Sequence, residues 1–83
     1  MAHGKPGKYA PLVAYLAAQP AAMHEVVVPL DAIAQLVGEP LSPSVWTTSF
    51  WYGGREARRY WQAQGWAARL DRRARTVVFT RRA

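Results

Sequence analysis

Apolar positions change their spacing repeatedly along this chain of 83 residues, and each change predicts a new element. Tyr9, Leu12, Val13 and Leu16 recur every three or four residues. That period puts them on one face of a helix over Ala10–Gln19, with Pro11 in its first turn and Pro20 closing it. Glu25-Val26-Val27-Val28 is short, β-branched and bounded by Pro29, which predicts a brief strand. Leu30, Ile33, Ala34 and Val37 restore the helical stripe, and Gly38 stands where a left-handed C-cap would end a helix over Leu30–Val37. Glu39-Pro40 forces a turn. Leu41–Trp46 fits the start of another short helix, with Ser42 as N-cap and Pro43 at the first position. Thr47–Tyr52 is β-branched and aromatic, which favours extended structure.

Gly53-Gly54 breaks the chain, and a helix over Arg55–Gln64 is expected next, ended by Gly65. At ~100° per residue, Arg55, Arg58, Arg59 and Gln62 fall on one side of it, and Ala57, Tyr60, Trp61 and Gln64 on the other. Trp66, Ala68 and Leu70 then alternate with Ala67, Arg69 and Asp71, and Val77 and Phe79 with Thr76, Val78 and Thr80. Two strands joined through Asp71–Arg75 make a hairpin with a basic tip. Residues 1–7, MAHGKPG, read as a loose arm. The expectation is a single α+β domain over residues 8–83 with three main helices, a short strand and a C-terminal β-hairpin. This order matches a winged-helix domain, whose third helix enters the major groove while the hairpin wing touches backbone or minor groove.

Charge divides the chain. Residues 1–50 carry Lys5 and Lys8 against Glu25, Asp31 and Glu39, whereas all nine Arg lie between Arg55 and Arg82 beside only Glu56 and Asp71. The net charge of +6 therefore resides in the C-terminal half. A one-sided basic surface is the footprint of a polyanion partner, and the arginine fork pairs two-pronged with phosphate and guanine. The expected function is non-enzymatic binding of nucleic acid, duplex DNA foremost. Arg55, Arg58, Arg59 and Gln62 would lie in a groove, and Arg72, Arg73 and Arg75 would hold phosphates, with Arg81 and Arg82 adding to them.

Aromatic residues change the picture less than their number implies. Trp61, Trp66 and Phe79 sit on apolar faces and are expected in the core. Phe50-Trp51-Tyr52 cannot all be buried from one side of an extended backbone. Trp51 or Tyr52 is therefore the stacking candidate. The competing reading makes Phe50–Tyr52 an aromatic patch for a protein partner or a homodimer. Gly53-Gly54 reads as a plain turn rather than a phosphate cradle. His3 and His24 have no spaced partner for a metal, the five acids are scattered, and Ser42, Ser44 and Ser49 lack an adjacent base. Neither an enzyme nor a cofactor is expected. With no Cys, no signal peptide and no run of ~20 apolar residues, a soluble cytoplasmic protein without membrane contact is expected.

Gly7-Lys8-Tyr9-Ala10-Pro11-Leu12, Pro40-Leu41-Ser42-Pro43-Ser44, Trp61 with Gly65-Trp66, and Val77-Phe79-Arg81 together resemble a family of small bacterial domains of unknown function. Its members read GKYxPL, then a Trp-Trp pair with Asn, WxxxGW and VxFxR. The resemblance spans nearly the whole chain and implies a compact stand-alone domain. Phe50 stands for the family's first Trp, Tyr52-Gly53 stands where Ser-Asn is usual, and Ala32 and Ala34 replace acids common on the second helix. The stretch from Trp51 to Trp61 is also shorter than usual.

Overall fold

The computed structural model describes residues 7–82. Helix α1 covers Ala10–Ala17, strand β1 Glu25–Pro29 and helix α2 Leu30–Val37. A 3-10 turn over Pro43–Trp46 leads into two five-residue helices, α3 (Thr48–Tyr52) and α4 (Arg55–Arg59). A second 3-10 turn, Gln62–Gln64, precedes strands β2 (Trp66–Asp71) and β3 (Thr76–Arg81). The architecture is α+β, as expected. The sheet is antiparallel in the order β1-β3-β2, so the brief strand completes the hairpin into three strands. Register places Val26, Val28, Val77, Phe79, Ala68 and Leu70 on the inner face, where all are buried. Tyr9, Leu12 and Leu16 of the α1 region and Leu30 and Ile33 of α2 close over that face.

Short-range signals hold. Gly38 ends α2 in the left-handed region at φ 87°. Gly65 takes φ 88°, and the Trp66 amide reaches back to the Trp61 carbonyl at 2.9 Å, the six-to-one bond of a Schellman cap. Asp71 Oδ1 accepts from the Ala74 amide at 3.0 Å and shapes the hairpin loop. Of the arm expected over residues 1–7, only Gly7 is among the described residues. It is packed: a Cβ there would lie 1.7 Å from the Tyr60 hydroxyl oxygen.

Two expectations fail, both between Thr47 and Gln64. Thr47–Tyr52 is not extended; Thr48–Tyr52 is helical. The helix expected over Arg55–Gln64 stops at Arg59, and Tyr60 leaves helical geometry at φ −104°, ψ −86°. The cause is a pair of indoles. Trp51 and Trp61 are both fully buried, with ring centroids 5.0 Å apart and planes inclined by 30°. Trp51 Nε1 donates to the Val45 carbonyl at 2.7 Å, and Trp61 Nε1 donates to the Trp51 carbonyl at 3.0 Å. A buried indole N–H demands a partner, and a short helix followed by a kink brings these two carbonyls within reach. Tyr9, Phe50 and Phe79 pack around the pair, each with its ring centroid about 6 Å or less from Trp61 or Trp51.

Trp51→Phe or Trp61→Phe keeps a ring but removes a buried hydrogen bond. Either should lower unfolding free energy by about 2–4 kcal/mol, read from urea melts. Tyr52→Ala should change it by less than about 0.5 kcal/mol, because Tyr52 is 70% exposed. Equal effects at Trp51 and Tyr52 would overturn this account.

Tyr9 supplies a pH test. Burial, then the carboxylates of Glu56 and Glu39 and the neighbouring Tyr60, push its phenol from 10.0 up to about 12. Folding therefore favours the neutral phenol. Its contribution is complete below pH 10 and is lost as pH rises toward 12. The loss is on the order of 2–3 kcal/mol. Tyr9→Phe should show a correspondingly flatter decline in stability across that window. An unchanged slope would assign the alkaline transition to other groups.

Candidate nucleic-acid interface

The structure separates the arginines into groups by the element that carries each. Arg55, Arg58 and Arg59 are exposed on α4. Gly54 makes the entry to α4 tight, since a Cβ there would lie 3.2 Å from the Phe50 and Ser49 carbonyl oxygens. Arg59 also stands over the Tyr60 ring, 5.5 Å from its centroid. Gln62, expected on this same face, is not there. The chain has already left the helix at Tyr60, and the Gln62 side-chain amide donates to the Tyr52 carbonyl.

Arg72, Arg73 and Arg75 are exposed around the hairpin loop, as expected. Arg75 adopts φ 58°, the only non-glycine positive φ among the described residues. A left-handed arginine costs roughly 1–2 kcal/mol relative to right-handed geometry. The strain is held in place because the Arg75 carbonyl accepts from the Leu30 amide at 2.9 Å, satisfying the first free N–H of α2. The hairpin tip is thus fastened to the helix layer. The α4 cluster connects through the second 3-10 turn to the start of β2, and the tip follows its end. A six-residue strand is about 16 Å long, close to the rise of five base pairs.

Arg81 does not join either group. Its guanidinium lies 4.3 Å from the Trp66 ring centroid and donates to the Met23 and Pro20 carbonyls, each at 3.2 Å. It fixes the α1–β1 connection to the sheet, so the phosphate role expected for it is corrected to a structural one. Arg82 is exposed.

The stacking candidates resolve in favour of one. Trp51 is fully buried and therefore excluded; Phe50 is half-buried; Tyr52 is 70% exposed. The aromatic patch expected at Phe50–Tyr52 reduces to a single ring. That ring borders an open groove of about 440 Å³ between α3 and the outer face of the sheet, lined also by Thr48, Ala67, Arg69, Val78 and Thr80. Arg69 was not among the expected contact residues. The alternation of Ala68 and Leu70 inward already turns it outward, and that signal was available in the sequence. No local pattern brings Thr48 or Thr80 to the same place.

Eight of the nine arginines are exposed, all but Arg81. The one ion pair among the described residues is Lys8–Glu39 at 4.0 Å, so no described carboxylate neutralises an arginine. Among the described residues no three His, Cys, Asp or Glu gather as a metal site, and no helix is long and apolar enough to cross a membrane.

A small α+β domain with a basic, carboxylate-poor C-terminal half is the class these features define. Residues 9–83 match the model of a domain of unknown function, DUF7662, and the chain belongs to that family. No curated protein and no solved structure matches it.

Arg75→Gly should relieve the left-handed strain and raise unfolding free energy by about 0.5–1 kcal/mol. Thermal and urea melts check this. A destabilised glycine variant would mean that the arginine side chain itself supports the loop.

Proposed function

We propose that this chain is a non-enzymatic nucleic-acid-binding module that holds phosphates through two basic clusters, Arg55, Arg58 and Arg59 on α4 and Arg72, Arg73 and Arg75 at the hairpin tip. The observation that carries the reading is the set of exposed arginines without ion-pair partners. An internally paired guanidinium gives little to an external anion; an unpaired one releases counterions from a phosphate backbone on contact. The hairpin tip is tied by its backbone to α2, and α4 leads through the second 3-10 turn into β2.

The winged-helix arrangement supports this reading only in part. Element order and the three-stranded sheet with its hairpin agree with it. Helix α4, however, has five residues, fewer than two turns, which is short for a helix that reads bases along a major groove. The loss of Gln62 from its face removes a base-reading amide. Phosphate contact is therefore the better-supported mode, with sequence preference secondary. Of the Phe50–Tyr52 run that motivates the self-association reading, Tyr52 alone is exposed.

Fluorescence anisotropy with labelled duplex and single-stranded DNA and RNA tests the proposal. Affinity should fall at least about tenfold between ~50 and ~200 mM salt. Replacing Arg55, Arg58 and Arg59 together with Ala, or Arg72, Arg73 and Arg75 together, should weaken binding and flatten the salt slope by about 2–3. Absence of salt-dependent binding at low-micromolar protein would sink the reading. Full affinity in both triple variants would sink the assignment of residues.

A further inference from the structure

The groove beside Tyr52 differs from the rest of the basic surface because it offers more than charge. Its floor is the outer face of the hairpin. Ala67 pairs with Thr80 and Arg69 with Val78, so a small residue, a methyl-bearing hydroxyl, a valine and a guanidinium form a two-by-two tile. Ala67 leaves the recess; a larger residue would fill it. Thr48 and Tyr52 stand along one side from α3. The volume of about 440 Å³ falls within the ~300–1,000 Å³ of small-molecule sites. Tyr52 has its backbone carbonyl fixed by the Gln62 amide, while its ring is 70% exposed. The ring is thus anchored at its base and free on its face.

Charge selects among occupants. Arg69 is exposed and pairs with no carboxylate. The nearest acid on this face is Asp71, two residues along β2, and its Oδ1 is engaged by the Ala74 amide. Glu25 shares the outer face but lies on β1, across β3 from Ala67. Beyond Asp71 the same hairpin carries Arg72, Arg73 and Arg75. An apolar recess, an open ring and a line of free guanidinium groups beside it suit a ligand that alternates flat rings with negative charges.

We propose that this groove seats an unpaired nucleotide of a single-stranded nucleic acid, its base on the Tyr52 ring over the Ala67–Val78 floor and its phosphate on Arg69, with the following phosphates passing to the hairpin arginines. This rests on the nucleic-acid reading above and adds a preference for strand over duplex. A paired base is stacked inside its helix and cannot present its face to Tyr52, whereas an unpaired one can. Thr48 and Thr80 line a recess whose surface is almost wholly apolar, and the ring face accepts any base, so little sequence preference is expected.

The experiment compares the full chain, Tyr52→Ala, Tyr52→Phe and Arg69→Ala on a labelled ~12-residue oligo-dT, on oligo-U and on a blunt duplex of the same length, by anisotropy at fixed low salt. Wild type should bind the single strands more tightly than the duplex. Tyr52→Ala should lose at least about fivefold on the single strands with duplex binding unchanged. Tyr52→Phe should retain affinity, and Arg69→Ala should lose it on the single strands. Because Tyr52 and Arg69 are exposed, the variants should melt as wild type does. Equal wild-type binding to strand and duplex, or full single-strand affinity in Tyr52→Ala, overturns the groove while leaving the phosphate reading intact. No binding to any of the three probes overturns both.

Discussion

The segment from Val45 to Trp61 depends on how two indole N–H groups find acceptors. Trp51 and Trp61 are both fully buried in the one core that a chain of this size can build. Burial strips water from each Nε1, and the bonds to the Val45 and Trp51 carbonyls replace it. The bonds are sequential: Trp51 is tied to the first 3-10 turn, and Trp61 is tied to Trp51. The segment from Val45 to Trp61 is thereby fixed by side chains bonding to main chain rather than by a continuous ladder of its own. That explains why it consists of two one-turn helices instead of a long one. Phe79 meets both indoles edge-on, which joins this assembly to the middle of the sheet.

The same dependence explains what could be read from the sequence. Helices α1 and α2, strand β1 and the hairpin are each specified by a pattern within a few residues. Gly38, Pro29 and Asp71 mark their ends by local geometry. Between Thr47 and Gln64 local preference points elsewhere. Thr47-Thr48 and the aromatic run favour a strand, and Arg55–Gln64 has good helical periodicity. Tertiary contacts override both: Trp51 Nε1 is bonded to the Val45 carbonyl and Trp61 Nε1 to the Trp51 carbonyl, and two short helices with a kink at Tyr60 bring those partners together. The misplaced site residues follow from that one override. Trp51 moves into the core, and Gln62 leaves the arginine face. The hairpin arginines stay where expected because alternation in a strand needs no distant partner.

Surface chemistry follows from the same division between scaffold and periphery. The N-terminal half supplies helices that cover the sheet and carries most of the acids. The C-terminal half supplies the sheet's hairpin and all the arginines. Glu56 on α4 and Asp71 on β2 are outnumbered by the arginines of that half, and Lys8–Glu39 is the one ion pair among the described residues. A protein selected only for solubility would gain from interleaving the two signs, since single-sign fields repel themselves. The excess of arginine over Glu56 and Asp71 leaves a positive field on the hairpin and α4.

Arg81 and Arg75 show how the fold distinguishes structural arginines from available ones. Arg81 has a ring beneath it and two carbonyls in reach, so two of its five donors are engaged and its side chain ties the α1–β1 connection to the sheet. Arg75 has no such side-chain partners. Its backbone instead sits in a conformation that glycine would adopt at lower cost, held by a carbonyl bond to the helix layer. Asparagine or glycine would serve a hairpin loop better at that position. The Arg75 guanidinium is exposed and in no ion pair among the described residues, as the proposed phosphate contact requires. The same argument extends to Arg69, where threonine or valine would suit an outward strand position and a free cation stands beside an open ring instead.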